Sequence, residues 1–115
     1  MEGGVVYAIF FHNPKVVYVG SSFTYWRRWS DHLRKLRKGR HYNAGLQKAF
    51  NEQGEFKMRF VPLVFLGPCT AAALEAAEHY WINFYVEKVG YEACLNRSPM
   101  AASPGEVREE YSPAI

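Results

Sequence analysis

The chain has 115 residues, 49% hydrophobic and 22% charged, room for one domain with its own core and too little for two. That balance excludes disorder throughout, and the formal charge of +3, taken whole, says little about a partner. Aromatic residues are the outlier at 17%, more than a minimal core needs.

The first four residues lack the basic segment of a secretory leader, and the apolar run after them is too short to span a bilayer. The expectation is a cytoplasmic protein with no membrane contact. Residues 5–11 (VVYAIFF) are β-branched and aromatic at strand length. His12-Asn13-Pro14-Lys15 supplies turn chemistry, and residues 16–19 (VVYV) form a second such run closing at Gly20. Together they predict an antiparallel hairpin with Tyr7 and Tyr18 on neighbouring strands, able to share a face. Ser21 and Ser22 can cap a helix over residues 23–38, where Trp26, Trp29, Leu33 and Leu36 recur at helical spacing. Trp26 and Trp29, like Trp81, Phe84 and Tyr85 further on, are expected in the core.

A loop at 41–43 leads to a shorter helix over 44–52, with Leu46, Ala49 and Phe50 inward. Residues 56–66 read as a third strand, in which Pro62 removes a ladder donor and demands an edge position or a bulge. Thr70 is expected as the N-cap of a long helix over 71–89 that stops at Gly90. Residues 91–96 look extended, and 97–115, with three prolines, read as a flexible tail. The order β-β-α-α-β-α predicts a small α+β domain over 4–96, a three-stranded antiparallel sheet flanked by helices.

The charge is unevenly placed. Arg27, Arg28, Arg34, Lys35, Arg37, Lys38 and Arg40 face a single acid, Asp31, within fourteen residues, so the rest of the chain is net acidic. Such a strip points to a polyanion, most often nucleic acid, or else to a solvated basic helix face. Cys69 and Cys94 form neither a CxxC pair nor zinc-like spacing; nothing requires a disulfide, and a reducing compartment fits better.

Arg28 and His32, four apart, project from one face of the first predicted helix, and Glu75 and Glu78, three apart, share a face of the last. A tyrosine pair, a fixed cation, a histidine and an acid suit phosphodiester hydrolysis. The carboxylate can hold a hard divalent cation, the cation offsets phosphate charge, and a phenol can pass a proton to or from water. Spacing alone does not bring these groups together.

Taken in order, Val5-Val6-Tyr7, Tyr18-Val19-Gly20-Ser21-Ser22, Arg28-Trp29 with His32, Lys38-Gly39-Arg40-His41, Leu46-Gln47-Lys48-Ala49-Phe50-Asn51, Glu78-His79-Tyr80-Trp81-Ile82 and Leu95-Asn96 resemble the GIY-YIG nuclease domain, and within it the phage homing-endonuclease branch. The resemblance implies a metal-dependent DNA endonuclease leaving 5′-phosphate and 3′-hydroxyl ends. It places Tyr7 as general base or water-orienting group, Tyr18 as a hydrogen-bonding partner in the site, and Gly20 as backbone room beside them. Arg28 would hold the scissile phosphate, His32 and His41 would support the site, and Asn96 would lie near it. Glu78 would bind one Mg²⁺ or Mn²⁺, and Glu75 is then read as a solvated helix residue. Arg27, Arg34, Lys35, Lys38 and Arg40 would contact the backbone of double-stranded DNA, with the protein a monomer or a transient dimer on it. No small-molecule substrate and no role for His12 or His79 are expected.

The first motif departs from the family pattern, with Val5 where its glycine would stand, unless Gly4 does that work one residue early. That departure is the one support for an alternative, a nucleic-acid-binding module of the same fold without catalysis. A repair or restriction nuclease is a further alternative.

Overall fold

In a computed structural model that describes residues 3–96, the first two apolar runs form the expected hairpin. Strand β1 (Gly4–His12) pairs antiparallel with β2 (Lys15–Ser22) across Asn13-Pro14. Helices α1 (Tyr25–Arg37) and α2 (Ala44–Gln53) follow, then a 3₁₀ turn (Glu55–Lys57), β3 (Arg59–Gly67) and α3 (Ala71–Val89). The sheet order is β2-β1-β3, antiparallel throughout, with β1 at the centre. The predicted tail over 97–115 lies outside the described residues. Among the described residues no helix is long and apolar enough to cross a membrane.

Strand alternation assigns the helices to faces. Val6, Ala8, Val17 and Val19 point to one side and pack with Leu74 and Ile82 of α3. Tyr7, Ile9, Phe11 and Tyr18 point to the other and pack with Leu36 of α1 and Leu46 and Ala49 of α2. Each large apolar side chain buried in these two layers stabilises the fold by roughly 1.5–3 kcal/mol.

Pro62 meets both of its expectations. It lies on the edge strand β3, and the pairing with β1 steps from Val6–Val64 to Tyr7–Pro62, leaving Leu63 as the extra residue of a bulge. Thr70 caps α3, its Oγ1 accepting the Ala73 N–H at 3.0 Å.

Four expectations need correction. Helix α1 begins at Tyr25 rather than at 23, because β2 extends through both serines: Ser22 Oγ accepts the Thr24 N–H at 2.8 Å, and Thr24 makes no side-chain cap. The third strand begins at Arg59, residues 55–57 having closed into the 3₁₀ turn after Gly54. Trp26 is 73% exposed and Phe84 is exposed on α3; helical spacing alone did not separate the core stripe from its border. Residues 91–96 form turns with one isolated parallel bridge, Val17–Cys94. This segment clasps the free edge of β2: Val17 N–H donates to Ala93 O at 2.9 Å, and Leu95 N–H to Val17 O at 2.7 Å. Cys69 and Cys94 are not joined in a disulfide.

Candidate active site

Both tyrosines fall on the α1 side of the sheet, fully buried, with the His32 ring between them at 5.7 Å from Tyr7 and 5.6 Å from Tyr18, edge-on to each. Tyr7 stands opposite Gly20 in the hairpin register, and a Cβ built on Gly20 would overlap the Tyr7 phenol. Glycine is therefore required there by close approach, not by an unusual φ.

A hydrogen-bonded chain leads away from Tyr7. Its hydroxyl is 2.7 Å from His32 Nε2, and His32 Nδ1 is 2.7 Å from His41 Nε2. His41 Nδ1 accepts the backbone N–H of Asn43 at 3.0 Å. A backbone amide can only donate, so neutral His41 carries its proton on Nε2 and gives it to His32 Nδ1. His32 must then carry its own on Nε2 and donate to Tyr7. The Tyr7 oxygen thus accepts from the histidines, and its own proton is directed elsewhere. Asn43 holds the end of this chain in place: its Oδ1 caps α2 through the Leu46 N–H at 2.9 Å, and its Nδ2 donates to Leu95 O at 3.2 Å.

Burial, and then the neighbouring His41, push His32 down to about 3; burial and then Lys35 push His41 down to about 4. Both rings are neutral at physiological pH. Burial raises Tyr7 well above the ordinary phenol, Tyr42 adds to this, and Arg28 works against it. Tyr18 is raised in the same way, first by burial and then by Tyr42.

Glu78 enters from α3 on the other face. Its side chain is fully buried, and Oε1 accepts a short hydrogen bond from the Ser21 hydroxyl at the end of β2. Oε2 is also buried, and has no hydrogen-bond partner among the described residues. Burial raises Glu78 to about 7; Glu75 adds to the rise, while the Ser21 hydrogen bond and Arg28 oppose it.

Beside Ser21 opens a cleft of about 420 Å³ walled by Ser22, Phe23, Thr24, Arg28, Leu74 and Glu75. Arg28 faces this cleft, whereas Arg27 lines a separate groove beyond Thr24. Glu75 is solvent-exposed as expected, yet it stands on the cleft wall, and Glu78 is the acid sealed in the interior.

Asn96 uses both ends of its amide on one backbone unit: Oδ1 accepts the Val19 N–H and Nδ2 donates to Val19 O, each at 2.7 Å. It holds β2 one residue before Gly20. Along the basic strip, Arg34 is paired with Asp31 at 3.0 Å and Arg37 with Glu55 at 2.6 Å. Lys35 lies over the Tyr42 ring at 5.6 Å, and Arg27, Lys38 and Arg40 are exposed.

Two residues joined here carried no signal of such a role. Tyr42 hydrogen-bonds Tyr18 through the two hydroxyls at 2.9 Å and stacks on His41 at 4.4 Å. In the sequence it is one more loop aromatic. Ser21 read as a helix cap and instead holds Glu78.

A divalent cation fits the donor set. Glu78 offers a hard oxygen, Oε2, that is buried without a partner among the described residues. Among those residues no three His, Cys, Asp or Glu side chains converge. Glu78 would then be the protein's carboxylate on an ion otherwise held by water and phosphate oxygens, the habit of Mg²⁺.

The family model for the GIY-YIG catalytic domain matches residues 3–91. Among solved structures, the catalytic domain of homing endonuclease I-TevI is similar at 28% identity and a TM-score of 0.67, over 78% of this chain and 94% of that one. A substituted form of the catalytic domain of intron endonuclease I-TevI is similar at 25% identity and a TM-score of 0.64, over 90% and 97%. No curated protein sequence matches the chain.

Proposed function

The chain belongs to the GIY-YIG family of nuclease catalytic domains, and from that premise we propose that it is a metal-dependent DNA endonuclease cutting phosphodiester bonds to 5′-phosphate and 3′-hydroxyl ends. The observation that carries this reading is the buried Oε2 of Glu78, without a hydrogen-bond partner among the described residues, on a carboxylate held by Ser21, which lines the same cleft as Arg28. A binding module has no use for an isolated interior carboxylate, because burying a charge without a counter-ion costs stability that binding alone does not require.

In this mechanism the Arg28 guanidinium holds the scissile phosphate in the cleft and stabilises the charge that grows on it during attack. Tyr7 orients the attacking water. With its pKa raised and its oxygen accepting from His32, the phenol is protonated at neutral pH and acts through hydrogen bonds, which favours the water-orienting role over that of a resident base. Tyr18 and Tyr42, joined through their hydroxyls, pack against the His32–His41 pair that holds Tyr7. A divalent ion on Glu78, when bound, would supply Lewis-acid stabilisation of phosphate and leaving oxygen. The exposed members of the basic strip contribute salt-sensitive, sequence-independent affinity for duplex DNA.

The missing first glycine gives little support to the binding-only alternative. Val5 stays in strand β1, paired with Ser22 and Phe65 although the register against β3 shifts between Gly4 and Val5, and the positive-φ glycines lie elsewhere. Gly4 is constrained by packing instead, since a Cβ there would press on Cys69 and Leu74. Supercoiled plasmid with Mg²⁺ or Mn²⁺, followed by end mapping, is the direct test. Wild type should cut and Glu78→Ala should not; cutting undiminished in Glu78→Ala would overturn the assignment.

A further inference from the structure

A second groove adjoins the cleft at Arg28 on the far side of Thr24. Phe23 and Thr24 form the far wall of the cleft and at the same time the near wall of this groove of about 410 Å³, lined further by Val5, Tyr25, Trp26, Arg27 and Phe65. Two of its rings are strongly exposed, Trp26 at 73% and Phe65 at 67%. Tyr25 stands edge-on between them, 5.0 Å from Trp26 and 6.1 Å from Phe65, and also touches Tyr7 at 6.2 Å. The groove is thus an open aromatic slot braced against the site, separated from the phosphate cleft only by the shared wall of Phe23 and Thr24.

Its charge selects an occupant. Among the described residues that line it, Arg27 is the one ionisable side chain other than Tyr25, and none is an acid. Flat apolar walls with a guanidinium at the rim suit a nucleotide, which offers a π-face for stacking and a phosphate for the cation. A second copy adding along β3 fits less well, because Pro62 and the bulge beside it interrupt that edge.

We propose that this groove stacks an unpaired nucleotide of the DNA strand being cut, next to the phosphate held at Arg28. In an intact duplex both faces of each base are covered by its neighbours, so the slot is filled only where a base is unpaired or displaced. The proposal rests on the nuclease reading of the adjacent cleft, and makes the enzyme selective for DNA with a frayed, mismatched or single-stranded flank at the cut.

The test measures binding, in chelator, of a short labelled single strand and of a duplex of equal length to wild type, Trp26→Ala, Trp26→Phe and Phe65→Ala. Melting curves and sedimentation are run on each variant. Trp26→Ala should weaken single-strand binding by roughly five- to 150-fold, the usual range for one base–aromatic stack, and leave duplex binding and melting unchanged. Trp26→Phe should restore most of the loss. Equal loss on single strand and duplex, no loss on either, or a Trp26-dependent change from dimer to monomer would each overturn the proposal. Because cleavage does not enter the assay, the two readings fail separately. Plasmid cutting without selective single-strand binding removes the groove's role alone. Selective binding without cutting supports the groove and counts against the hydrolytic chemistry.

Discussion

The Tyr7 phenol lies across the bare backbone of Gly20, its partner in the hairpin, so closely that a single methyl group at Gly20 would occupy the same space. The position of the hydroxyl in the site is therefore set by an absent side chain on the next strand.

Gly20→Ala should push Tyr7 off His32 while leaving β2 extended. Cleavage should fall roughly 10- to 100-fold, the effect of an ångström-scale misplacement, with a stability cost of about 1–3 kcal/mol from overpacking. Plasmid nicking and thermal melting of the same samples check both. An active Gly20→Ala protein would mean that Tyr7 can move without consequence.

Glu78→Gln should abolish cleavage and stabilise the fold above neutral pH. The carboxyl is held up to about 7 against an ordinary 4.5, so the folded state binds this proton more tightly than the unfolded chain does. Its stabilising effect is complete below pH 4.5 and is lost as pH rises through 7. Measured in chelator, the variant should match wild type near pH 4.5 and exceed it at pH 8 by on the order of 3 kcal/mol. Denaturant titrations at the two pH values are sufficient.

The histidine pair acts with the opposite sign. His32 at about 3 and His41 at about 4, against 6.5, are neutral in the fold and take up protons on unfolding. Their stabilising effect is present above pH 6.5 and drains away as pH falls toward 4. Imidazole ¹⁵N shifts at about pH 5.5, between those values and the ordinary one, should show both rings uncharged and protonated on Nε2. A charged ring at that pH, or the other tautomer, would break the chain inferred from Asn43.

Tyr42→Phe removes the hydroxyl contact with Tyr18 and keeps the ring on His41. Activity should fall by roughly three- to tenfold, the scale of one hydrogen bond, with little change in melting. Tyr42→Ala, which also removes the stacked ring, should fall further.

Salt dependence should sort the basic strip. Replacing Lys38 or Arg40 with alanine should reduce the slope of log affinity against log salt by about one each. Arg34→Ala and Arg37→Ala should change it less, since Asp31 and Glu55 already occupy those guanidinium groups.

Much of the fold was legible because its signals are local. The two β-branched runs, the turn at Asn13-Pro14, Thr70 before a long helix, and Pro62 at an edge each follow from the chemistry of a few adjacent residues. Helical spacing brought Arg28 and His32 to one face, and the motif order singled out Glu78 over Glu75. What was not legible depends on contacts between distant segments. Trp26 shares its spacing with true core residues, and only the position of the sheet shows that it faces out. Ser21 has the composition of a helix cap and the location of a carboxylate partner. Tyr42 gains its contacts because α1 and α2 bring a loop over Tyr18, which periodicity does not encode.

The clasp of Asn96 on Val19 joins positions 77 residues apart. Closing so long a loop is entropically slow relative to forming the hairpin or the helices. During synthesis the strand bearing Tyr18, Gly20 and Ser21 leaves the ribosome early, but its outer edge stays bare until residues 93–96 emerge. The pocket built on the first hairpin is thus completed by residues made much later, which makes cutting competence a late event in the life of each nascent molecule.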